Sequence, residues 1–206
     1  HTVHVLARDK DVLLNVLQEE KVPYEIFGIH AKNMLDKVLV TPRLIRSFYK
    51  IAKREKPDVI VSKASLYGTI VARMVGAKAI ICPDSEVVKL TNKVVVPLCS
   101  CVITPSTFGL DFGRKHIRIK GFFEDCYLAP SVFHANEQII EKYGLQKPYA
   151  LFRFVGWYAN HDVNNSGFNA EQQRTMLSMA EEKMNVYISS EKELPNDLQK
   201  YKLPTP

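Results

Sequence analysis

The sequence lacks the glycine-rich phosphate-binding signatures of common nucleotide-binding folds. Neither G-x-G-x-x-G nor G-x-x-x-x-G-K occurs in its 206 residues, which argues against a nicotinamide dehydrogenase and against a P-loop nucleotide triphosphatase. No apolar run approaches the length of a membrane span, and no signal-peptide pattern opens the chain. We therefore expect a soluble, cytoplasmic protein.

Cysteine is scarce and charge is dispersed. The four cysteines show no C-x-x-C spacing, so they are interpreted as small core residues in a reducing compartment and not as metal ligands. The net charge of +6 forms no basic block or nucleic-acid motif, and we predict no nucleic-acid partner. The excess of lysine and arginine is compatible with an anionic ligand or with peripheral contact to a membrane surface.

Hydrophobic periodicity predicts strands and helices in regular alternation up to residue 120. The predicted strands cover residues 2–7, 24–28, 58–62, 78–82, 101–104 and 117–120, and the predicted helices cover 9–20, 32–40, 42–54, 65–75 and 85–96. This rhythm is typical of right-handed βαβ units and a doubly wound parallel sheet. Since the chain enters directly on a strand without an initiating Met, we expect a fragment.

The alternation stops near Gly121 and restarts at residue 149. We predict a first domain over residues 1–126, a linker over 127–147, and the start of a second domain over 148–206. The second part offers only two strands, 149–155 and 186–190, with a helix over 170–184 between them. Because two strands cannot make an independent sheet, we expect the second domain to be incomplete and the chain to be truncated at both ends.

A polar loop lies between the predicted buried strand 149–155 and the helix that Asn169 is expected to cap. A strand, a polar loop and a helix N-terminus form the place where open α/β sheets bind ligands, anions especially. Long loops in compact domains are usually functional or disordered, which favours a ligand site here. The alternative is an ordinary solvated connection.

Four short motifs carry a resemblance to a known family: RFVGWYANHD at residues 153–162, SSEKELP at 189–195, PDSE at 83–86 and VITPS at 102–106. Through them the chain resembles a bacterial and archaeal family catalogued as domain of unknown function 354. Its members resemble the GT-B fold of UDP-N-acetylglucosamine 2-epimerases and nucleotide-sugar glycosyltransferases. The resemblance implies an α/β protein of two Rossmann-like domains facing a cleft, with the family's first strand before His1 and its main nucleotide-binding segment after Pro206.

The resemblance also implies the chemistry. We expect a nucleotide-sugar, UDP-linked, as the substrate, an acceptor of unknown identity, and neither a bound metal nor a separate cofactor. The preferred function is glycosyl transfer. Epimerisation or hydrolysis of the nucleotide-sugar is the alternative, and a sugar-nucleotide-binding protein without turnover remains open as a third.

Three residues are candidates for catalysis. Asp84 and Glu86 follow the strand 78–82 at its carboxyl end, where an acidic pair could accept sugar hydroxyls or act as a base. Capping of the next helix explains them equally well. His161 matches a cleft histidine of the epimerases, and it could donate to a diphosphate or relay a proton. Its alternative role is to hold its own loop through local hydrogen bonds.

Seven further residues are candidates for substrate binding: Arg153, Trp157, Asn160, Asp162, Ser189, Ser190 and Glu191. An arginine in an apolar strand must find an anion or a carboxylate, so Arg153 is expected to bind either the ligand or Glu191. Ser189 and Ser190 follow a strand and could hold a phosphate or cap the next turn. Lys63 and Ser65 are weaker candidates, since the family often has His and Gly at this point.

Overall fold

The structure of the protein, a computed structural model, describes residues 1–9, 13–29, 34–86, 93–155 and 167–203. The chain divides into two compact units, His1–Cys126 and Tyr127–Pro206. Every strand pair that the structure describes is parallel, as expected for an α/β protein. Within the described ranges, no helix is both long enough and apolar enough to cross a membrane.

Unit 1 contains two parallel sheets. Its elements are β1 (Val5–Asp9), α1 (Leu13–Glu19), β2 (Tyr24–Ile29), α2 (Met34–Glu55), β3 (Val59–Ser62), α3 (Leu66–Val75), β4 (Lys78–Ile81), β5 (Cys101–Pro105) and β6 (His116–Ile119). Strand β1 pairs with β2, and β3, β4, β5 and β6 form a four-stranded sheet in chain order. Since all four strands of this sheet are parallel, their carboxyl ends lie at one edge.

Helix α2 supplies much of the core of unit 1. Leu44, Phe48 and Ile51, spaced as one face of a helix, pack with Phe27 of β2 and Val71 of α3. Burial of each of these large apolar side chains contributes about 1.5–3 kcal/mol. This face holds α2 against β2 and α3.

Helix α3 begins and ends where its capping residues predict. The Ser65 side chain accepts a hydrogen bond from the Gly68 N–H at 3.1 Å, and Gly76 ends the helix with a φ of 77° in the left-handed region. The predicted helix 65–75 is therefore confirmed. Because Ser65 follows β3 so closely, the N-terminus of α3 lies at the carboxyl edge of the sheet.

One helix prediction in unit 1 is wrong. Residues 34–55 form one continuous helix with Pro42 inside it, although we predicted that a second helix starts at Pro42. A proline inside a helix costs about 3 kcal/mol, but the burial of the apolar face beyond it offsets that cost. Of the predicted helix 85–96, residues 93–95 are helical and continue into a 3₁₀ turn at Val96–Leu98, residues 85–86 are not helical, and residues 87–92 lie outside the described ranges.

Unit 2 is built around one strand pair and one helix. Its elements are α4 (Asp125–Leu128), which spans the boundary of the two units, α5 (Gln138–Lys142), β7 (Tyr149–Phe154), α6 (Ala170–Glu181), β8 (Asn185–Ser190) and a 3₁₀ helix at Asn196–Tyr201. Strand β7 pairs with β8 over six residues, from Tyr149↔Asn185 to Phe154↔Ser190. Buried Leu177 of α6 packs on Val186 and Ile188 of β8.

Strand β7 is not fully buried, which corrects the prediction from its apolar run. Its exposure alternates: Tyr149, Leu151 and Arg153 are exposed, whereas Phe152 and Phe154 are half-buried in the cluster around Leu177. Successive side chains of a strand point to opposite faces, and α6 covers only one of them. Arg153 therefore lies on an open sheet face.

Candidate functional site

The carboxyl edge of unit 1 brings the predicted acidic residues close to a lysine. Ser62 and Ile81 are in register on β3 and β4, so the segments after them leave the sheet side by side. The Lys63 Nζ donates to Asp84 Oδ2 at 2.5 Å, and both side chains are exposed. An exposed ion pair contributes only about 0–1 kcal/mol to stability, so the fold does not depend on this one.

Glu86 lies at the same edge but has a different partner. Its Oε1 accepts a hydrogen bond from the backbone N–H of Gly109 at 2.7 Å. A Cβ at residue 109 would lie 3.0 Å from Glu86 Oε2, so the carboxylate packs directly on the glycine backbone. The alternative role of Asp84 and Glu86 as helix caps concerns residues 87–92, which lie outside the described ranges.

A shallow groove of about 330 Å³ also opens at this edge, lined by Arg8, Lys63, Ala64, Ser65, Leu66 and Tyr67. The Arg8 guanidinium lies 5.5 Å from the centre of the Tyr67 ring. Two cations beside a helix N-terminus create a positive potential that favours anionic groups. The sequence analysis named Lys63 and Ser65 but missed Arg8 and Tyr67. The signal available was that Arg8 follows the predicted strand 2–7 and that Tyr67 lies in the first turn of the predicted helix 65–75.

The segment between β5 and β6 carries Gly109 and is anchored by a buried histidine. The His116 side chain is 2% exposed, and its Nε2 lies 2.7 Å from Thr104 Oγ1 while its Nδ1 lies 3.2 Å from Asp111 Oδ1. The hydrogen bond to His116 lowers the pKa of the Asp111 carboxyl below its usual range. Residues 106–107 form a turn and do not begin a helix.

The carboxyl edge of unit 2 gathers four of the predicted binding residues. Arg153 and Ser189 are opposite each other in the strand register, and Ser190 and Glu191 follow directly. The Arg153 Nη2 donates to Glu191 Oε1 at 2.7 Å, so the carboxylate partner we considered for Arg153 is present. Arg153 keeps 67% of its side chain exposed and can reach a second acceptor.

The two serines differ in their surroundings. Ser190 Oγ donates to the Lys192 carbonyl at 2.7 Å and accepts from the Lys192 N–H at 3.2 Å, so it closes the turn after β8. This is the turn-capping alternative considered for it. Ser189 is half-buried beside Arg153.

The N-terminus of α6 is closed by its own side chains. The Asn169 side chain accepts from the Gln172 N–H at 2.9 Å, and the Gln172 side chain accepts from the Asn169 N–H at 2.9 Å. This capping box confirms the predicted cap. It also occupies two of the backbone donors that an anion at this helix end would need.

Four of the predicted site residues lie outside the described ranges: Trp157, Asn160, His161 and Asp162. Their roles stay predictions. Among the described residues, no group of three or more histidine, cysteine, aspartate or glutamate side chains could hold a metal ion. The expectation that neither metal nor cofactor is needed also stays a prediction.

Comparison with known proteins relates the chain to one family. A sequence model of the family described as "Protein of unknown function (DUF354)" matches residues 2–191. No curated protein sequence is significantly similar to the chain.

Several solved structures share the fold. One is MurG from Acinetobacter baumannii, with a TM-score of 0.50 and 14% identity over 90% of this chain and 50% of MurG. Another is the UDP-GlcNAc 2-epimerase from Methanocaldococcus jannaschii, with a TM-score of 0.52 and 13% identity over 96% of this chain and 67% of the epimerase. Anabaena HepE, solved in complex with UDP-glucose, has a TM-score of 0.51 and 14% identity over 91% of this chain and 61% of HepE. The chain thus spans between half and two thirds of these proteins, and at such identity the likeness shows a GT-B-like α/β fold alone.

Proposed function

Because this chain belongs to the DUF354 family and folds like GT-B proteins, we propose that it is a nucleotide-sugar-dependent glycosyltransferase of GT-B type. The observation that carries the proposal is the carboxyl edge of unit 1, where Asp84 is paired with Lys63 and Glu86 accepts from the Gly109 amide. Ligands of open α/β sheets bind outside the carboxyl ends of the strands. Two oriented carboxylates there suit a substrate rich in hydroxyl groups.

Glu86 is the proposed base. Its carboxylate has one oxygen held by the Gly109 N–H and can accept a proton with the other. The acceptor hydroxyl passes its proton to Glu86 while its oxygen forms a bond to the anomeric carbon of the sugar. The bond from that carbon to the diphosphate breaks, and the nucleoside diphosphate leaves with the electron pair.

Asp84 and Lys63 are proposed to bind the sugar. Both side chains are exposed and already oriented by their ion pair, so each can exchange part of it for a sugar hydroxyl. The groove beside them, with Arg8 over Tyr67, adds a positive surface for anionic groups of the substrate.

Arg153 and Ser189 of unit 2 are proposed to bind phosphate oxygens. Arg153 offers exposed guanidinium donors, and Ser189 lies beside it in the strand register. A guanidinium binds phosphate oxygens in the geometry it uses for carboxylates, so a diphosphate can replace or share the bond that Arg153 makes with Glu191. Trp157, Asn160, His161 and Asp162 follow β7 in the sequence and keep their predicted roles in this proposal.

Product analysis tests this function. The protein is incubated with UDP-glucose or UDP-N-acetylglucosamine, with and without a pool of sugar and lipid acceptors, and the products are separated by chromatography. A glycosyltransferase releases UDP only when an acceptor is present. A changed sugar without acceptor would establish an epimerase instead, and binding without any product would leave a non-catalytic binding protein.

A matched pair of variants assigns the base. Glu86→Gln should lower turnover strongly, whereas Glu19→Gln, at an exposed glutamate on the C-terminal end of α1, should leave it unchanged. Loss of a general base lowers the rate by about 10²–10⁴-fold. Equal activity of the two variants would remove Glu86 from the mechanism.

A further inference from the structure

The connection between β5 and β6 has an unusual construction for a parallel sheet. Parallel neighbours are usually joined through a helix, but residues 106–115 contain only a 3₁₀ turn at Gly113–Lys115. Most backbone groups of this segment have no helix or strand partner, so side chains bind several of them. Arg118 of β6 binds carbonyl oxygens of the segment.

The Arg118 guanidinium binds three backbone carbonyls of this segment. Its Nη1 donates to the carbonyls of Ser106 at 3.4 Å and Phe108 at 2.5 Å, and its Nη2 donates to the Leu110 carbonyl at 3.0 Å. The planar fork of arginine suits several acceptors at fixed positions, which a lysine cannot reproduce. Arg118 therefore fixes the backbone on both sides of Gly109.

The peptide unit between Phe108 and Gly109 links Arg118 to Glu86. Its carbonyl accepts from Arg118, and its N–H donates to Glu86 Oε1 at 2.7 Å. A cation on the carbonyl side polarises a peptide and strengthens its N–H as a donor. Phe108 itself is buried, with 7% of the residue exposed, which also restrains this peptide.

We infer that Arg118 is a positioning residue for Glu86, acting through the Phe108–Gly109 peptide. Arg118 orients this peptide, the peptide orients the carboxylate, and glycine at residue 109 leaves room for a close approach, since a Cβ there would lie 3.0 Å from Glu86 Oε2. The consequence for catalysis rests on the proposed role of Glu86, whereas the coupling itself does not.

Nuclear magnetic resonance of the Gly109 amide tests the coupling. A hydrogen bond to a carboxylate moves an amide proton downfield and slows its exchange with solvent, so both effects should mark the Gly109 signal of the wild-type protein. Glu86→Gln should reverse most of the downfield shift. Arg118→Gln should reverse most of it as well and should make the Gly109 amide exchange with solvent at least about tenfold faster, because the hydrogen bond to the charged carboxylate is lost.

Matched variants separate positioning from loop stability. Arg114→Gln removes the same charge from residues 106–115 at an exposed position and should leave the Gly109 proton shift unchanged. Arg118→Lys keeps the charge without the fork, and the Gly109 signal should lose most of its downfield shift while the protein stays folded. An unchanged Gly109 shift in folded Arg118→Lys protein would overturn the inference.

The result is independent of the proposed function. If the downfield shift of the Gly109 amide proton depends on both Glu86 and Arg118, the positioning role stands even when UDP-glucose neither binds nor reacts. If UDP-glucose turns over and Arg118→Lys keeps the wild-type Gly109 shift, the function stands and the positioning role fails.

Discussion

Replacement of Arg153 by glutamine separates a structural from a ligand-binding role at the carboxyl edge of unit 2. Among the described residues, the arginine donates a hydrogen bond from Nη2 to Glu191 Oε1, and its side chain is 67% exposed. The substitution removes the positive charge but keeps a polar side chain of similar reach. We expect the two possible roles to respond by different amounts.

The stability effect should be small. An exposed, singly hydrogen-bonded ion pair contributes about 0–1 kcal/mol, so the free energy of unfolding should change by less than about 1 kcal/mol. A hydrogen bond from a charged group to a phosphate is worth about 1.5–3 kcal/mol, which corresponds to a loss of about tenfold to a hundredfold in affinity for UDP.

Calorimetric titration of UDP and urea unfolding measure the two quantities on the same protein. Lys200→Gln is the control, because Lys200 pairs with Glu181 at 3.3 Å beside the C-terminal end of α6, away from the carboxyl edge of β8. It should leave the affinity for UDP unchanged. An equal affinity of Arg153→Gln and wild type would refute the binding role of Arg153.

Three further predictions concern stability and reactivity. Asn169→Ala should lower the free energy of unfolding by about 1 kcal/mol in urea melts, because it removes the α6 capping box; an unchanged midpoint would contradict this. Hydrogen bonds from Arg174 lower the pKa of Asp197. The pair therefore stabilises the fold at pH values above the usual carboxyl pKa, and this stabilisation is lost as the pH falls through the lowered pKa. Asp197→Asn should therefore destabilise the protein at about pH 7 but not at about pH 2, as unfolding at both pH values will show. Burial raises the pKa of the Cys99 thiol, whereas Cys126 is exposed, so mass spectrometry should find Cys126 alkylated at least about tenfold faster, and equal rates would contradict the burial.

Local sequence signals predicted the elements whose ends are set by their own residues. Ser65 caps the beginning of α3 and Gly76 ends it, because a side-chain acceptor and a left-handed glycine affect only the backbone within a few residues. Asn169 begins α6 for the same reason. Neither depends on what packs against the helix.

Tertiary packing decided the features that the sequence did not reveal. Pro42 does not begin a helix, because the apolar face of α2 continues through it into the core. The apolar run of β7 predicted a strand buried on both faces, but burial depends on which elements cover each face.

The candidate site was predictable only in its composition. Asp84 and Glu86 were identifiable because they follow a predicted strand, and Arg153 because it is a charged residue inside an apolar strand. Gly109 was not identifiable, since it lies in a connection that neither helical nor strand periodicity describes. Arg118 lies in a predicted strand, but its bonds to that connection could not be predicted. Long-range hydrogen bonds of this kind leave no local pattern.

Saturation-transfer difference spectroscopy of UDP-glucose with the wild-type protein tests the central claim most directly. We predict saturation transfer to both the uracil and the glucose protons, suppressed by excess UDP-N-acetylglucosamine or UDP, and weakened for the glucose protons alone in the Asp84→Asn protein. The absence of any transfer to UDP-glucose from the folded protein would contradict a nucleotide-sugar function.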